Sequence, residues 1–432
     1  MQTKTQLKYP QSKGATYRML NIYNSLTQKT EPFQPEHDLQ VKMYTCGPST
    51  YQRPHIGNYR TFLFEDILQR YIEYQGYKVT RLITLTNIED KAIAYAETAN
   101  LSVEELTNRN EKMFFKDFEQ LHIKRPDYTI RASTIVDQAA ELIQCLLDKG
   151  IAYKFNHCET ENVYFDPTKF PGFGKLAHLD MKKWPKVKRR FHLDTYPGMP
   201  WNKGDFILWH GCKPTDKLCY ETKIGKGRPA WNIQDAAMVT KHLGFSLDIA
   251  CGGIDNLVRH HDYTLASAEA ISGKTFAKYW LHGGHLLVNG KKMSKSKGNV
   301  LYPENLTEKG YKNEHIRFFL IYGPYRSKRS FTWKKLAEAS KKLEEFKSMT
   351  QNIEKAKAAN SSQKTKTLTT KLAADFDKNM SNNLDVKEAF DKLYENIAKL
   401  HKFSKKGELS AKDAEKALLD LRKVDQVLQV IF

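Results

Sequence analysis

Two short stretches carry residue types suited to phosphate chemistry. The first is His55-Ile56-Gly57-Asn58, which follows the apolar run Val41 to Tyr44 and a Gly47-Pro48 turn and opens a helical pattern. A helix start offers unpaired N–H groups and partial positive charge to an anion. Gly57 lets a flat ring or a phosphate approach the backbone, and His55 can donate a hydrogen bond to a phosphate oxygen. Alone, the tetrapeptide is a weak signal, because a lone histidine at a helix start is more often structural. The second stretch is Lys292-Met293-Ser294-Lys295-Ser296, followed by Gly298. Two lysines three apart among small hydroxyls suit charge neutralisation on a five-coordinate phosphorus. A solvated lysine loop has the same composition. The pairing of the two stretches, in this order and about 235 residues apart, points to a nucleotide-phosphate site.

The elements that must position these residues are those of an α/β protein. Residues 41–46 read as a short buried strand, and 78–86, rich in β-branched residues, as the next. Between them Arg60 to Gln75 reads as an amphipathic helix with Leu63, Ile67, Tyr71 and Tyr74 on one face and Gly76 as its stop. Strand, helix, strand at this length is a βαβ unit, so a parallel sheet is expected. Residues 246–255 read as a later strand ending in glycines, with a helix from His260. Asn289-Gly290 marks a turn after an apolar run. From Thr332 glycine nearly disappears and helical periodicity takes over, with 360–370 as a polar linker. The expected organisation is a catalytic α/β domain over 1–330, with an insertion at about 120–215, and a helical bundle over 331–432.

Charge narrows the partners. Lys and Arg number 69 against 49 Asp and Glu, a formal +20, which suits RNA or DNA ahead of a membrane surface, or general lysine enrichment. The densest run, MKKWPKVKRRFH at 181–192, surrounds Trp184 with basic residues, as a nucleic-acid contact or a solvated loop would. No stretch has the apolar length of a membrane span, and the first twenty residues lack the pattern of a secretory signal. Six cysteines without a CxxC pair favour a reduced, cytoplasmic protein. Oligomeric state is not encoded in any motif, and a monomer is the simplest expectation.

The order of these segments resembles the class I aminoacyl-tRNA synthetases and, within them, the cysteinyl-tRNA synthetase family. The resemblance rests on YTCGPSTYQRPHIGNYRTF, TRLITLTNIEDKAI, RPDYTIRAS, GDFILWH, PAWNIQDAAM, GGIDNLVRHHD, YWLHGGHLLVNGKKMSKSKGN and SNNLDVKEAF, and it covers nearly all of 20–430. It implies a Rossmann-type catalytic domain followed by an α-helical bundle. It also implies two steps: an amino-acid carboxylate attacks the α-phosphorus of Mg²⁺-bound ATP, and the acyl group then moves to tRNA. By match, His55 and Asn58 hold phosphates, and Lys292 and Lys295 stabilise the transferring pyrophosphate. Gly57, Gly253, Asp255, Met293 and Ser294 line the ATP site, and Thr86 and Trp231 the amino-acid site. A carboxylate at a strand end suits ribose hydroxyls, so Asp255 fits independently.

The amino-acid pocket departs from the family. The family holds Zn²⁺ with two cysteines, a histidine and a glutamate, and the ion selects the substrate thiol. Here Cys46 and His260 are kept, whereas Asp235 stands at the second cysteine position and Thr264 at the glutamate position. Ala250 replaces a histidine next to the glycines. Cys46, Asp235 and His260 offer three ligands with an open position; Thr264 is a poor fourth, and the alternative is that they pack the pocket floor. Substoichiometric zinc is the expectation, together with a weak preference for cysteine over other small polar or basic amino acids. The family also continues into an anticodon-binding domain beyond the position of Phe432. Three readings follow: a ligase acting on tRNA or a tRNA-like acceptor, an amino-acid:amine ligase of the mycothiol-ligase type, or an inactive RNA-binding paralogue. The third predicts decay of the two phosphate motifs, and both are intact.

Overall fold

The computed structural model describes residues 18–194, 203–294 and 298–432. After a hairpin of β1 (Asn21–Asn24) and β2 (Lys29–Pro32), the chain enters a five-stranded sheet. Its strands are β3 (Gln40–Thr45), β4 (Lys78–Leu85), β5 (Tyr128–Arg131), β12 (Leu247–Gly253) and β13 (Ala277–Gly283). All pairs are parallel, in the order β13-β12-β3-β4-β5. Helices cover both faces, so β4 and β12 are buried on both sides, as their apolar runs require. From β3 the chain proceeds outward to β4 in one direction, while β12 and β13 lie in the other. The strand order therefore reverses between β3 and β12, and a ligand crevice belongs outside their carboxyl ends.

The βαβ crossover is α1 (Ile56–Tyr74), which starts four residues before the periodic pattern does because His55 caps it. Helices α2 (Asp90–Ala99) and α3 (Val103–Gln120) lead to β5, and α4 (Val136–Asp148) leads into a second sheet. That sheet comprises β6 (Ala152–His157), β7 (Thr160–Phe165), β8 (Arg190–Phe191), β9 (Asp205–Gly211), β10 (Tyr220–Thr222) and β11 (Gly225–Pro229). It is antiparallel except that β8 runs parallel to β9, and it returns the chain to α5 (Trp231–Leu243). Two expectations change here. Cys212 and Cys219 are joined by a disulfide, because β9, β11 and β10 fold back and bring their Cα atoms to 6.0 Å. Part of the basic run is spent internally: Lys188 pairs with Asp166 at 3.0 Å and Asp205 at 3.2 Å, and Arg190 lies 3.9 Å from the centre of the Phe155 ring. Trp184 packs edge-on against Phe173, so it is no free stacking platform.

Beyond β12 come a π-helical turn at Leu257–His261 and α6 (Asp262–Ser272), so the helix expected from His260 is irregular in its first turn. A small sheet of β14 (Leu286–Val288), β15 (Lys291–Lys292) and β16 (Arg329–Phe331) follows β13. Asn289 and Gly290 both take positive φ, the two-residue turn their sequence signals. Helices α7 (Pro303–Thr307) and α8 (Asn313–Ile321) lead to the four helices α9 (Trp333–Glu354), α10 (Gln363–Met380), α11 (Val386–Lys405) and α12 (Ala411–Leu428). The expected linker at 360–370 is mostly the first turns of α10: Ser362 caps it and Thr365 and Thr369 are buried. One apolar core runs from α1 through α8 into α9–α12. Within it Arg317 pairs with Asp66 at 2.6 Å and donates to Leu428 O at 2.7 Å, tying α8 to α1 and the C-terminal helix.

Candidate active site

At the reversal point α1 begins with a closed cap. The His55 N–H donates to Asn58 Oδ1 at 3.0 Å, and His55 Nδ1 accepts from the Gly57 N–H at 3.1 Å. This arrangement satisfies the helix start by side chains. The Ile56 N–H donates to Leu301 O, and the Asn58 N–H to His55 O. The unpaired N–H groups expected at this helix start are therefore already partnered. What faces an anion instead is the imidazole itself. Burial lowers the His55 pKa to about 4, so the ring is neutral at pH 7. Because Nδ1 accepts, the proton sits on Nε2, and the side chain reaches the cleft as a hydrogen-bond donor.

The second motif lands on the first. Met293 is buried against Gly57: a Cβ on Gly57 would lie 2.6 Å from Met293 Cε and 2.9 Å from the His55 ring. The glycine is needed for this approach, whatever binds above it. The β14–β15 hairpin carries Lys292 to the cleft, where its Nζ is 4.0 Å from Asp255 Oδ2. Both side chains are partly exposed, so the pair adds little stability and stays available to a ligand. Asn299 holds the loop on two sides, accepting from the Ser294 N–H at 2.9 Å and donating to Lys292 O at 3.2 Å. Lys295 lies outside the described residues. Gly253 sits at the end of β12, where a Cβ would lie 2.7 Å from Asp255 Oδ1. The resulting cleft has a volume of about 330 Å³ and is lined by His55, Asn58, Asp255 and Lys292, with Cys46 and Trp231 also in its wall.

Below Cys46 and Trp231 the remaining pocket residues form a buried layer. Asp235 and His260 are each 1% exposed, and Ala250 and Thr264 are fully buried. His260 Nε2 is 2.7 Å from Asp235 Oδ2, and the Tyr44 hydroxyl donates to the same oxygen. The Trp231 indole stacks on His260 at 4.2 Å. Asn256 donates its amide to Cys46 Sγ at 3.5 Å. Burial, then the Asp235 charge, pushes the Cys46 thiol well above its ordinary pKa. Burial alone would raise Asp235; His260 and Tyr44 outweigh it and hold the carboxyl below its usual value. Thr86 is buried, and its carbonyl accepts from the Thr50 N–H at 2.9 Å, so it braces the loop after β3.

These residues do not fit the four-ligand zinc centre that the resemblance implies. The ligand atoms of Cys46, Asp235 and His260 lie within 4.8 Å of one another. Yet the Asp235–His260 contact is 2.7 Å, a hydrogen bond. Nitrogen and oxygen bound tetrahedrally to one zinc ion sit roughly 3.3 Å apart, given bonds of about 2.0–2.2 Å. Thr264 offers nothing: its hydroxyl donates to His260 O at 2.9 Å.

Several residues of the site escaped sequence reasoning. Tyr44 reads only as a core strand residue. Asp194 accepts the Trp231 N–H at 2.8 Å and so fixes the start of α5. Burial opposes its ionisation, but His210 and Arg228 hold its carboxyl well below the usual range. Arg228 also pairs with Asp90, so the Asp90–Asp194–His210 group already holds a guanidinium as its cation. No local pattern marks Asp194, which follows the basic run by two residues.

A family profile described as "tRNA synthetases class I (C) catalytic domain" matches residues 32–341. Among curated relatives, a "Cysteine--tRNA ligase" of Chlamydia pneumoniae is 38% identical over 416 residues, covering 95% of this chain and 86% of the relative. One of Chlamydia muridarum is 35% identical over 424 residues, covering 95% and 88%. Among solved structures, Mycobacterium tuberculosis methionyl-tRNA synthetase in complex with methionyl-adenylate superposes with a TM-score of 0.63 over 91% of this chain and 90% of that one, at 15% identity. At that identity the likeness speaks for the fold.

Proposed function

Because the chain belongs to the class I aminoacyl-tRNA synthetases of the cysteinyl type, we propose that its cleft forms an aminoacyl-adenylate from Mg²⁺-bound ATP and passes the acyl group to tRNA. The observation that carries this reading is the contact of Met293 with Gly57, which brings both phosphate motifs to one crevice. The substrate carboxylate attacks the α-phosphorus and pyrophosphate leaves. His55 donates from Nε2 to a phosphate oxygen, Lys292 neutralises charge on the transferring group, and Asp255 accepts from ribose hydroxyls. Lys295 joins Lys292 by resemblance. No side chain forms a covalent bond; the rate comes from positioning and prearranged charge.

Among the described residues, no helix is long and apolar enough to cross a membrane. We place the reaction in the cytoplasm, with its tRNA. The acceptor reading rests on relatives named for tRNA ligation that match over 86–88% of their own length. Neither the small-amine ligase nor the inactive paralogue has an observation in its favour. On the basic run, Lys182, Lys186 and Arg189 are exposed and suit phosphate contacts, whereas Lys188 and Arg190 hold the insertion together.

The test is amino-acid-dependent ATP–pyrophosphate exchange across the twenty amino acids, followed by transfer to bulk tRNA. Exchange followed by acylation of RNA is the expected result; exchange without RNA acylation would transfer the case to a small acceptor. Neutralising Lys182, Lys186 and Arg189 together is expected to weaken tRNA binding and flatten its dependence on salt, leaving exchange intact.

A further inference from the structure

The layer beneath Cys46 and Trp231 is cross-linked by hydrogen bonds of its own. Asp235 Oδ2 holds both the Tyr44 hydroxyl and His260 Nε2. The Thr264 hydroxyl is turned back along its own helix onto the His260 carbonyl. A closed zinc centre needs four donors; here Thr264 is turned away and Asp235 and His260 are bonded to each other, which leaves Cys46 as the remaining ligand type. The wall behind it is apolar: Ala250 is fully buried in a cluster with Tyr44 and Trp280. Of the group, only the Cys46 thiol lines the cleft, steadied by the Asn256 amide.

We propose that this pocket works without a metal, with the Tyr44–Asp235–His260 hydrogen-bonded group in place of a zinc centre, and that it takes small amino acids bearing a neutral thiol or hydroxyl. The inference rests on the amino-acid-activating function proposed above. Its consequence for specificity is chemical. A zinc ion selects a thiol by binding it as thiolate, a form an aliphatic hydroxyl does not readily offer. Without the ion, a thiol and a hydroxyl of similar shape differ only in size and hydrogen bonding. Pockets that rely on such differences separate near-isosteres by about 10²-fold or less. Asp235 Oδ1 and His260 Nδ1 are buried without hydrogen-bond partners, so the group is not fully satisfied by its own bonds.

The experiment measures metal and specificity separately. Full-length protein from zinc-supplemented cells, dialysed into metal-free buffer, is assayed for zinc by elemental mass spectrometry. Zinc far below one per chain is expected. Exchange with cysteine and with serine is then compared with and without a chelator selective for zinc over Mg²⁺. The chelator should change neither rate, and cysteine should be preferred to serine by less than about 10²-fold in kcat/KM. The double substitution Asp235→Cys with Thr264→Glu should raise the zinc content toward one per chain and widen the cysteine preference. One zinc per chain in the unaltered protein, or loss of cysteine exchange on chelation, overturns the proposal. If the double variant does not fold, the zinc content and chelator response of the unaltered protein still decide it. If no amino acid supports exchange, the activating function fails, while the zinc content still judges the metal-free pocket.

Discussion

The part of the cleft proposed for the nucleotide and the part proposed for the amino acid are built in opposite ways. In the first, the polar groups sit on turns and element ends: His55 on a helix cap, Lys292 at the end of a hairpin strand, Asp255 after a strand. The charges of Lys292 and Asp255 are partly exposed and weakly paired, 4.0 Å apart. In the second, the polar groups are buried and bonded to one another through Tyr44, Asp235 and His260. One half keeps its charges ready for a ligand; the other uses them on itself. Replacement of a residue in the first half should therefore cost rate, and in the second half stability.

The largest effect expected is on the nucleotide half. Lys292→Ala, and His55→Asn, which keeps a capping oxygen but loses the Nε2 donor, should each lower exchange by about 10²–10³-fold, the ~3–4 kcal/mol of one lost charge stabiliser. Their denaturation midpoints should stay near that of the unaltered protein. Unimpaired exchange in both variants would remove the nucleotide assignment.

In the other half, Asp235→Ala leaves a buried histidine and tyrosine without their shared acceptor. A stability loss of about 3 kcal/mol is expected from breaking a buried pair in this way, read as a shift in urea midpoint. A variant as stable as the parent would show that the buried group is not what holds the pocket.

The pH dependence separates the halves further. His55 binds a proton near its ordinary pKa of 6.5 when unfolded but only near about 4 when folded. The unfolded chain thus takes up the proton first, so stability declines as pH falls below 6.5 and this contribution is fully lost below about 4. Urea midpoints measured from pH 7 to pH 4 should fall less steeply in His55→Asn than in the parent. Parallel curves would mean that the imidazole is not held neutral by its surroundings.

The smallest effect expected is at the loop clamp. Asn299→Ala removes two hydrogen bonds from the segment after Lys292 and should raise the KM for ATP by roughly tenfold, about 1–1.5 kcal/mol. The KM for the amino acid should not move. Equal changes in both would mean that the loop serves the whole cleft and not one half of it.

Much of the fold was legible along the chain. The βαβ unit, the Asn289-Gly290 turn and the change to helices at Thr332 each depend on a period or a local dihedral preference, and each is present. Legibility failed where the partner was remote. The helix start at Ile56 promises free N–H groups, but Leu301 supplies an acceptor from 245 residues away. The 360–370 stretch is polar, yet it is helical because Ser362 caps it and Thr365 and Thr369 pack inward. Lys188 and Lys186 look alike in sequence, and only the carboxylates of Asp166 and Asp205 separate their roles.

By itself, the sequence determined where the helix after Pro54 opens, the glycine in its first turn, and the periodicities that make a parallel sheet and a helical bundle. Those are properties of neighbouring residues, set by backbone dihedrals and side-chain spacing. Tertiary structure alone decided what the pocket residues do to one another. Tyr44 and Asp235 are 191 residues apart and meet because α5 packs on the face of the sheet; Cys46 and Asn256 are 210 apart and meet because β3 and β12, which they follow, are neighbours in it. A buried polar group must find its partner wherever the fold brings one. For Asp235 the partners found were a tyrosine and a histidine.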